Sequence, residues 1–205
     1  MVRRSATRRL QWRRICPLFG VPPHECDRVN TPLKPQGPNA GQIKFWNEAG
    51  PSFYFAHKDA IRAEREPLTR RLIERAAPVL GERALEVGCG FGDLTIELGH
   101  LVGPGAFALG VDLSSAMLAS ARQSASSKGL GNISFENVDA QTYPFEHLYF
   151  DLVISQFGLM FFADPVAALS NVKSGLRPGG RIAFLSWQAR ERSECLSIPL
   201  SVIKR

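Results

Sequence analysis

No apolar run in this chain of 205 residues approaches the roughly 20 that a helix needs to cross a bilayer, so a spanning helix is excluded. Paired cysteine spacing is missing as well. Cys16, Cys26, Cys89 and Cys195 are scattered, and no apolar signal segment precedes them. That pattern argues against a disulfide framework and for a reducing, cytoplasmic setting. Clustered metal ligands are also lacking: Cys16, His24 and Cys26 stand apart in a proline-rich stretch and read as coincidence. Nor does the body of the chain carry excess charge. The net +6 belongs wholly to residues 1–40, which hold 8 Lys/Arg against 2 acids, whereas residues 41–205 hold 17 of each. A neutral body disfavours nucleic acid as a partner of the folded domain.

What is present divides at about residue 40. Residues 1–40 place Arg3, Arg4, Arg8, Arg9, Arg13 and Arg14 among no acids, and prolines from Pro17 to Pro38 forbid long helices. A disordered basic tail is expected. It reads as a targeting peptide, a nucleic-acid arm, or the product of a start codon placed too far upstream. Residues 41–205 are expected to form the domain, with a core that 44% hydrophobic and 21% charged content suits. Gly41–Gly81 reads as a helical lead-in with an aromatic patch (Trp46, Phe53, Tyr54, Phe55). Pro67 is expected in the first turn of a second segment that turns Leu68, Leu72, Ile73 and Ala76 inwards.

From Arg83 strands and helices alternate. Ala84–Val87, Ala106–Val111, Ile133–Val138, Phe150–Ser155 and Arg181–Trp187 read as five strands. Between them lie helices opened by Asp93, by Ser114 as N-cap, and by Asp164-Pro165. Inward positions are Leu94, Leu98 and Leu101, then Met117, Leu118, Ala121 and Ala125, then Val166, Leu169, Val172 and Leu176. Such alternation predicts an α/β fold with a doubly wound, Rossmann-like parallel sheet.

In that fold ligands bind beyond the carboxyl ends of the strands. The first strand ends in Glu86-Val87-Gly88-Cys89-Gly90-Phe91-Gly92, a glycine turn entering a helix. Glycines at alternate positions suit close backbone approach to a ligand, or else the packing of a strand on a helix. Asp93 stands where a dinucleotide fingerprint has its third glycine. Cys89 reads as a small residue filling the turn, against the alternative of a nucleophile with no histidine near it in sequence. Asp112, with Leu113 beside it, ends the second strand. It reads as a ribose-binding acid, because Ser114 already supplies the cap of the next helix. Asp139 and Ala140 follow the third strand and suit an adenine, or form a solvated loop. Ser155 and Gln156 end the fourth strand, before an aromatic cluster of Phe157, Met160, Phe161 and Phe162 that reads as core or as a sulfonium cradle.

The glycine turn, Val111-Asp112 with Ser114-Ser-Ala-Met-Leu118, Phe150-Asp-Leu-Val153, Met160-Phe-Phe-Ala-Asp-Pro165 and Leu176-Arg-Pro-Gly-Gly180 follow one another in order. Together they resemble class I S-adenosylmethionine-dependent methyltransferases of the ubiquinone/menaquinone-biosynthesis type, over about residues 43–203. The resemblance implies S-adenosylmethionine as cofactor and a small-molecule methyl acceptor. It also implies a role for each site residue. Gly88, Gly90 and Gly92 would lie along the cofactor, Glu86 would hold the methionine ammonium region, and Asp112 with Leu113 the ribose. Asp139 and Ala140 would take the adenine, and Ser155 and Gln156 the methionyl side. No general base is assigned, since His57, His100 and His147 lie outside every motif.

The family continues past its fifth strand with a helix and two more strands, of which Ser193–Ile203 could supply only a start. The expectation is therefore a truncated domain lacking the last two of seven strands, or self-association that covers the fifth strand, which would otherwise be a bare edge. Three functions stand at this point: a small-molecule methyltransferase, an inactive cofactor-binding fragment or interaction protein, and, less favoured, a nicotinamide-dependent oxidoreductase.

Overall fold

Ala84, Leu85 and Val87 are buried, and a strand apolar on both faces belongs at the centre of a covered sheet. The computed structural model describes residues 32–189 and 192 and puts that strand there. Strands β1 (Arg83–Val87), β2 (Phe107–Asp112), β3 (Ile133–Asn137), β4 (Phe150–Gln156) and β5 (Leu176–Leu185) lie in the order β3-β2-β1-β4-β5. Every neighbouring pair is parallel, with Leu85 registered against Leu109 on one side and Val153 on the other. The expected doubly wound α/β sheet is what forms. Its strand order reverses between β1 and β4, and a crevice opens at their carboxyl ends.

Helices α1 (Ala40–Asn47), α2 (Gly50–Ala56) and α3 (Lys58–Ala76) lead in, α4 (Asp93–Val102), α5 (Ser115–Ser127) and α6 (Pro165–Ser174) connect strands, and a 3-10 turn spans Leu159–Phe161. Alternate strand residues face opposite sides. Ala84, Ala108, Leu152 and Ile154 pack with Leu72 and Ala76 of α3 and Leu94 and Leu98 of α4. Leu85, Leu109 and Val153 pack with Phe145, Phe150 and Val172 on the other face. Cys89, Ile96, Leu118, Ala121 and Phe135 close a third cluster between α4, α5 and β3.

Local signals at helix starts held. Ser114 accepts a hydrogen bond from the Met117 N–H, and Asp164 accepts one from Ala167 with Pro165 in the first turn. All four inward residues expected on α5 are buried.

Four expectations need correction. Pro67 does not open a segment but sits inside the continuous α3. Pro67 and Ala63 are both exposed, so water reaches the carbonyl that the proline leaves without a donor. Leu68 and Val166 are exposed, at 39% and 74%, rather than buried in the core. Leu176 opens β5 rather than extending α6, and Arg177-Pro178-Gly179-Gly180 is a bulge inside that strand, not a turn ahead of it. Register passes from Phe150–Leu176 to Leu152–Arg181, so these residues face Asp151 alone, and Asp151 pairs with Arg177. Finally Asn39, expected in the tail, is buried. The basic stretch 3–14, the Cys16–His24–Cys26 grouping and the segment 193–203 lie outside the described residues.

Candidate functional site

The turn after β1 is held by the end of β2. The Gly88 and Cys89 N–H groups both donate to the Val111 carbonyl, at 2.8 and 3.0 Å. The Gly90 N–H donates to Asp112 Oδ2 at 2.8 Å, and the Ser114 N–H to Asp112 Oδ1 at 2.8 Å. Asp112 thus clamps the turn with one bond to each oxygen and keeps further lone pairs for a ligand. Burial pushes its pKa up, opposed by those N–H groups.

The glycines divide their roles. Gly88 has φ +76°, and a Cβ there would lie 2.7 Å from Gly158 Cα, so it lets the β1 turn touch the loop after β4. Gly92, also at φ +76°, would drive a Cβ to 2.6 Å from the Phe135 ring and 2.8 Å from Ala121. Gly92 therefore packs α4 on α5 and is not a wall of the cavity, in which Gly88 and Gly90 do take part.

That cavity opens over the carboxyl ends of the strands. Glu86, Gly88, Gly90, Asp112, Leu113, Ala140 and Gln156 line it, so seven of the ten residues singled out from sequence converge on one space. Glu86 is buried and accepts from the Thr95 hydroxyl. Its desolvation pushes the pKa up to about 8. Leu113 is positioned by its carbonyl, which accepts from Asn47 at 2.9 Å and Asn137 at 2.8 Å. Cys89 is buried against the core and its thiol is pushed up by desolvation, which suits a turn-filling residue.

Asp139 and Ser155 do not line the cavity. Both Asp139 oxygens accept from Asn39 Nδ2, at 2.9 and 3.0 Å, and Oδ1 also accepts from the Gln141 N–H. Ser155 donates to the Val87 carbonyl at 2.7 Å and so ties β4 to β1. Gln156 reaches the cavity but is bonded to Thr69 of α3 at 2.8 Å.

Several cavity residues escaped the sequence reading. Asn39 lines the space and also accepts from the Ala163 N–H at 2.7 Å. Trp46 packs edge-on against Phe161 at 5.5 Å and beside Tyr54 at 5.4 Å. The aromatic patch around Trp46 was visible in sequence, but nothing local showed that it folds back over the strand ends. Arg65 stacks over Tyr54 and Phe157, 5.7 and 5.2 Å from the ring centroids, and carried no signal at all. Asp93 pairs with Arg62 through two bonds of 2.7 and 3.2 Å, joining α3 to the start of α4.

A glycine turn clamped by the acid of the second strand, at the switch point of a parallel sheet, defines a nucleotide-type pocket. A family profile described as "Methyltransferase domain" matches residues 79–197. The chain belongs to this family, the class I S-adenosylmethionine-dependent methyltransferases. It is 40% identical over 120 residues to the aklanonic acid methyltransferase DauC of Streptomyces sp. (strain C5), covering 58% of this chain and 54% of that protein. It is 34% identical over 119 residues to the ubiquinone/menaquinone biosynthesis C-methyltransferase UbiE of Shewanella frigidimarina (strain NCIMB 400), covering 58% and 47%. Among solved structures it resembles the [4+2]-cyclase SpnF, with 28% identity, a TM-score of 0.54 and coverage of 58% of this chain and 43% of that one. The chain spans about half the length of the curated relatives it matches. Among the described residues no helix is long and apolar enough to cross a membrane.

Proposed function

We propose that this protein transfers a methyl group from S-adenosylmethionine to a small-molecule acceptor. The observation that carries the reading is the Gly90–Asp112–Ser114 clamp within a cavity that also holds Glu86. The residues fit the cofactor chemically. Asp112 keeps acceptor capacity for ribose hydroxyls, Ala140 and Leu113 offer an apolar slot for the adenine, and Glu86 supplies the anion for the methionine ammonium. Asp139 acts on that slot indirectly, by holding Asn39.

Bound there, the cofactor supplies a methyl group already activated by the sulfonium. The protein's task is then to align the acceptor nucleophile with the S–CH3 bond and exclude water. Aromatic side chains at the cavity stabilise the cation by roughly 0.5–2 kcal/mol. UbiE and DauC are named for small-molecule methylation, which supports the acceptor class.

Calorimetric titration tests the reading. The full chain is expected to bind S-adenosylmethionine and S-adenosylhomocysteine but not NAD, and Asp112→Ala to weaken both by about 10-fold or more. Absence of binding by the wild-type chain would sink the proposal. Binding without turnover on any acceptor would favour a second reading, a member that holds the cofactor without methylating. That reading has a specific support, the likeness to a protein named for cyclisation.

Two placements accompany the proposal. A cytoplasmic setting is supported by the scattered cysteines. Self-association through β5 is supported by its position, with β4 on one side, no described strand on the other, and Phe184 51% exposed. Light scattering that shows only monomer would remove the latter.

A further inference from the structure

Behind the cavity wall lies a buried hydroxyl that packing alone does not require. Thr95 is the third residue of α4, is fully buried, and does not itself line the cavity. Gly110 of β2 makes room for it. A Cβ there would lie 2.5 Å from Thr95 Oγ1 and 2.9 Å from Cys89 Sγ. Valine has the shape to fill such a site, so the hydroxyl answers to a polar partner. That partner is Glu86, whose carboxylate accepts from the Thr95 hydroxyl and from the Thr95 N–H.

The N–H is one of those that the first turn of a helix leaves without an intrahelical acceptor. Gly92, the N-cap of α4, has no side chain to offer it. Glu86 therefore reaches from β1, where it lines the cavity, to the start of α4. Among the described residues it has no ion pair. The titratable groups that face it are Asp112 at the end of β2, Asp93 of α4 and the Cys89 thiol in the turn. Arg62 of α3 is taken up by Asp93, and β4 sets Ile154 beside Glu86. Against burial and two neighbouring acids, the donors that favour the carboxylate both belong to Thr95.

We propose that Thr95 is a positioning residue for S-adenosylmethionine, its hydroxyl fixing the Glu86 carboxylate in the orientation that receives the cofactor's ammonium. The inference rests on the methyl-transfer reading above and gives Thr95 no contact with the cofactor itself. A donor to the charged form also favours ionisation. Loss of the hydroxyl is therefore felt most where the ionised acid is scarce.

The test titrates S-adenosylmethionine calorimetrically into the full chain at pH 7 and pH 9, for wild type, T95V and T95S. Comparison with wild type at the same pH cancels the ligand's own ionisation. T95V is expected to bind about 10-fold more weakly at pH 7, narrowing to about twofold at pH 9. T95S keeps the hydroxyl and should stay within about twofold of wild type at both. Thermal unfolding at both pH values checks that each variant folds, and T95A replaces T95V if the latter does not. Without cofactor, the decline of stability with pH should continue further above pH 8 in T95V than in wild type. Wild-type affinity in T95V at pH 7 overturns the proposal. So does weakening by the same factor at both pH values, which a merely structural loss would give, or a T95S as weak as T95V. If wild type itself binds neither S-adenosylmethionine nor S-adenosylhomocysteine, the methyl-transfer reading fails and the role of Thr95 with it. Normal wild-type binding with a T95V profile parallel to it removes Thr95 alone.

Discussion

Glu86 sits in an environment where a carboxylate keeps its proton near neutrality. Burial pushes its pKa to about 8, against an ordinary 4.5. Between those values the folded state binds a proton that the unfolded chain has lost, so stability falls as pH rises through that window. The slope approaches about 1.4 kcal/mol per pH unit where the difference is complete. Chemical denaturation from pH 5 to 8 should show this decline, and Glu86→Gln should flatten it. A bound cation favours the ionised acid, so S-adenosylmethionine affinity should rise with pH up to about 8 in wild type and not in the variant. At the same scale the sequence singled out Asp112, which lines the cavity. It could not show that Asp139 and Ser155 spend their polar atoms on Asn39 and Val87, because those partners lie far away in the chain.

Among the elements, α3 shows how local rules yield to context. Proline is a strong helix breaker, and Pro67 invited a boundary that the helix ignores. Its flanking turns are anchored, Leu72 and Ala76 in the core and Thr69 on Gln156. Restoring an N–H should therefore help. Pro67→Ala is expected to stabilise the protein by about 1–3 kcal/mol, read as a higher melting temperature. Helix starts behaved differently, since Ser114 and Asp164 cap through neighbours three residues away and need no tertiary partner. Strand β5 fell between these cases. Its apolar run was legible, but the bulge at Arg177–Gly180 was not, and there Arg177 pairs with Asp151 of the neighbouring strand.

At the scale of the molecule, one residue ties the lead-in to the sheet. Asn39 spans about a hundred positions to Asp139 and reaches further to Ala163. Removing its side chain leaves a buried carboxylate without its amide donor, so Asn39→Ala should cost about 1–3 kcal/mol in denaturant unfolding. It should also weaken S-adenosylhomocysteine binding, because Asn39 lines the same cavity. An unchanged unfolding midpoint would show that the contact contributes nothing.

The sequence by itself determined the strand–helix alternation, the parallel sheet, the glycine turn and the acid that clamps it. These rest on periodicity and on contacts within a few dozen residues, which composition records directly. Tertiary structure alone decided which side chains face the cavity. The lead-in helices fold over the strand ends and bring Asn39, Trp46, Tyr54 and Arg65 to the pocket, while Gly92 and Asp139 turn to packing. Burial and partner choice across the sheet are properties of the assembled fold, and no local pattern encodes them.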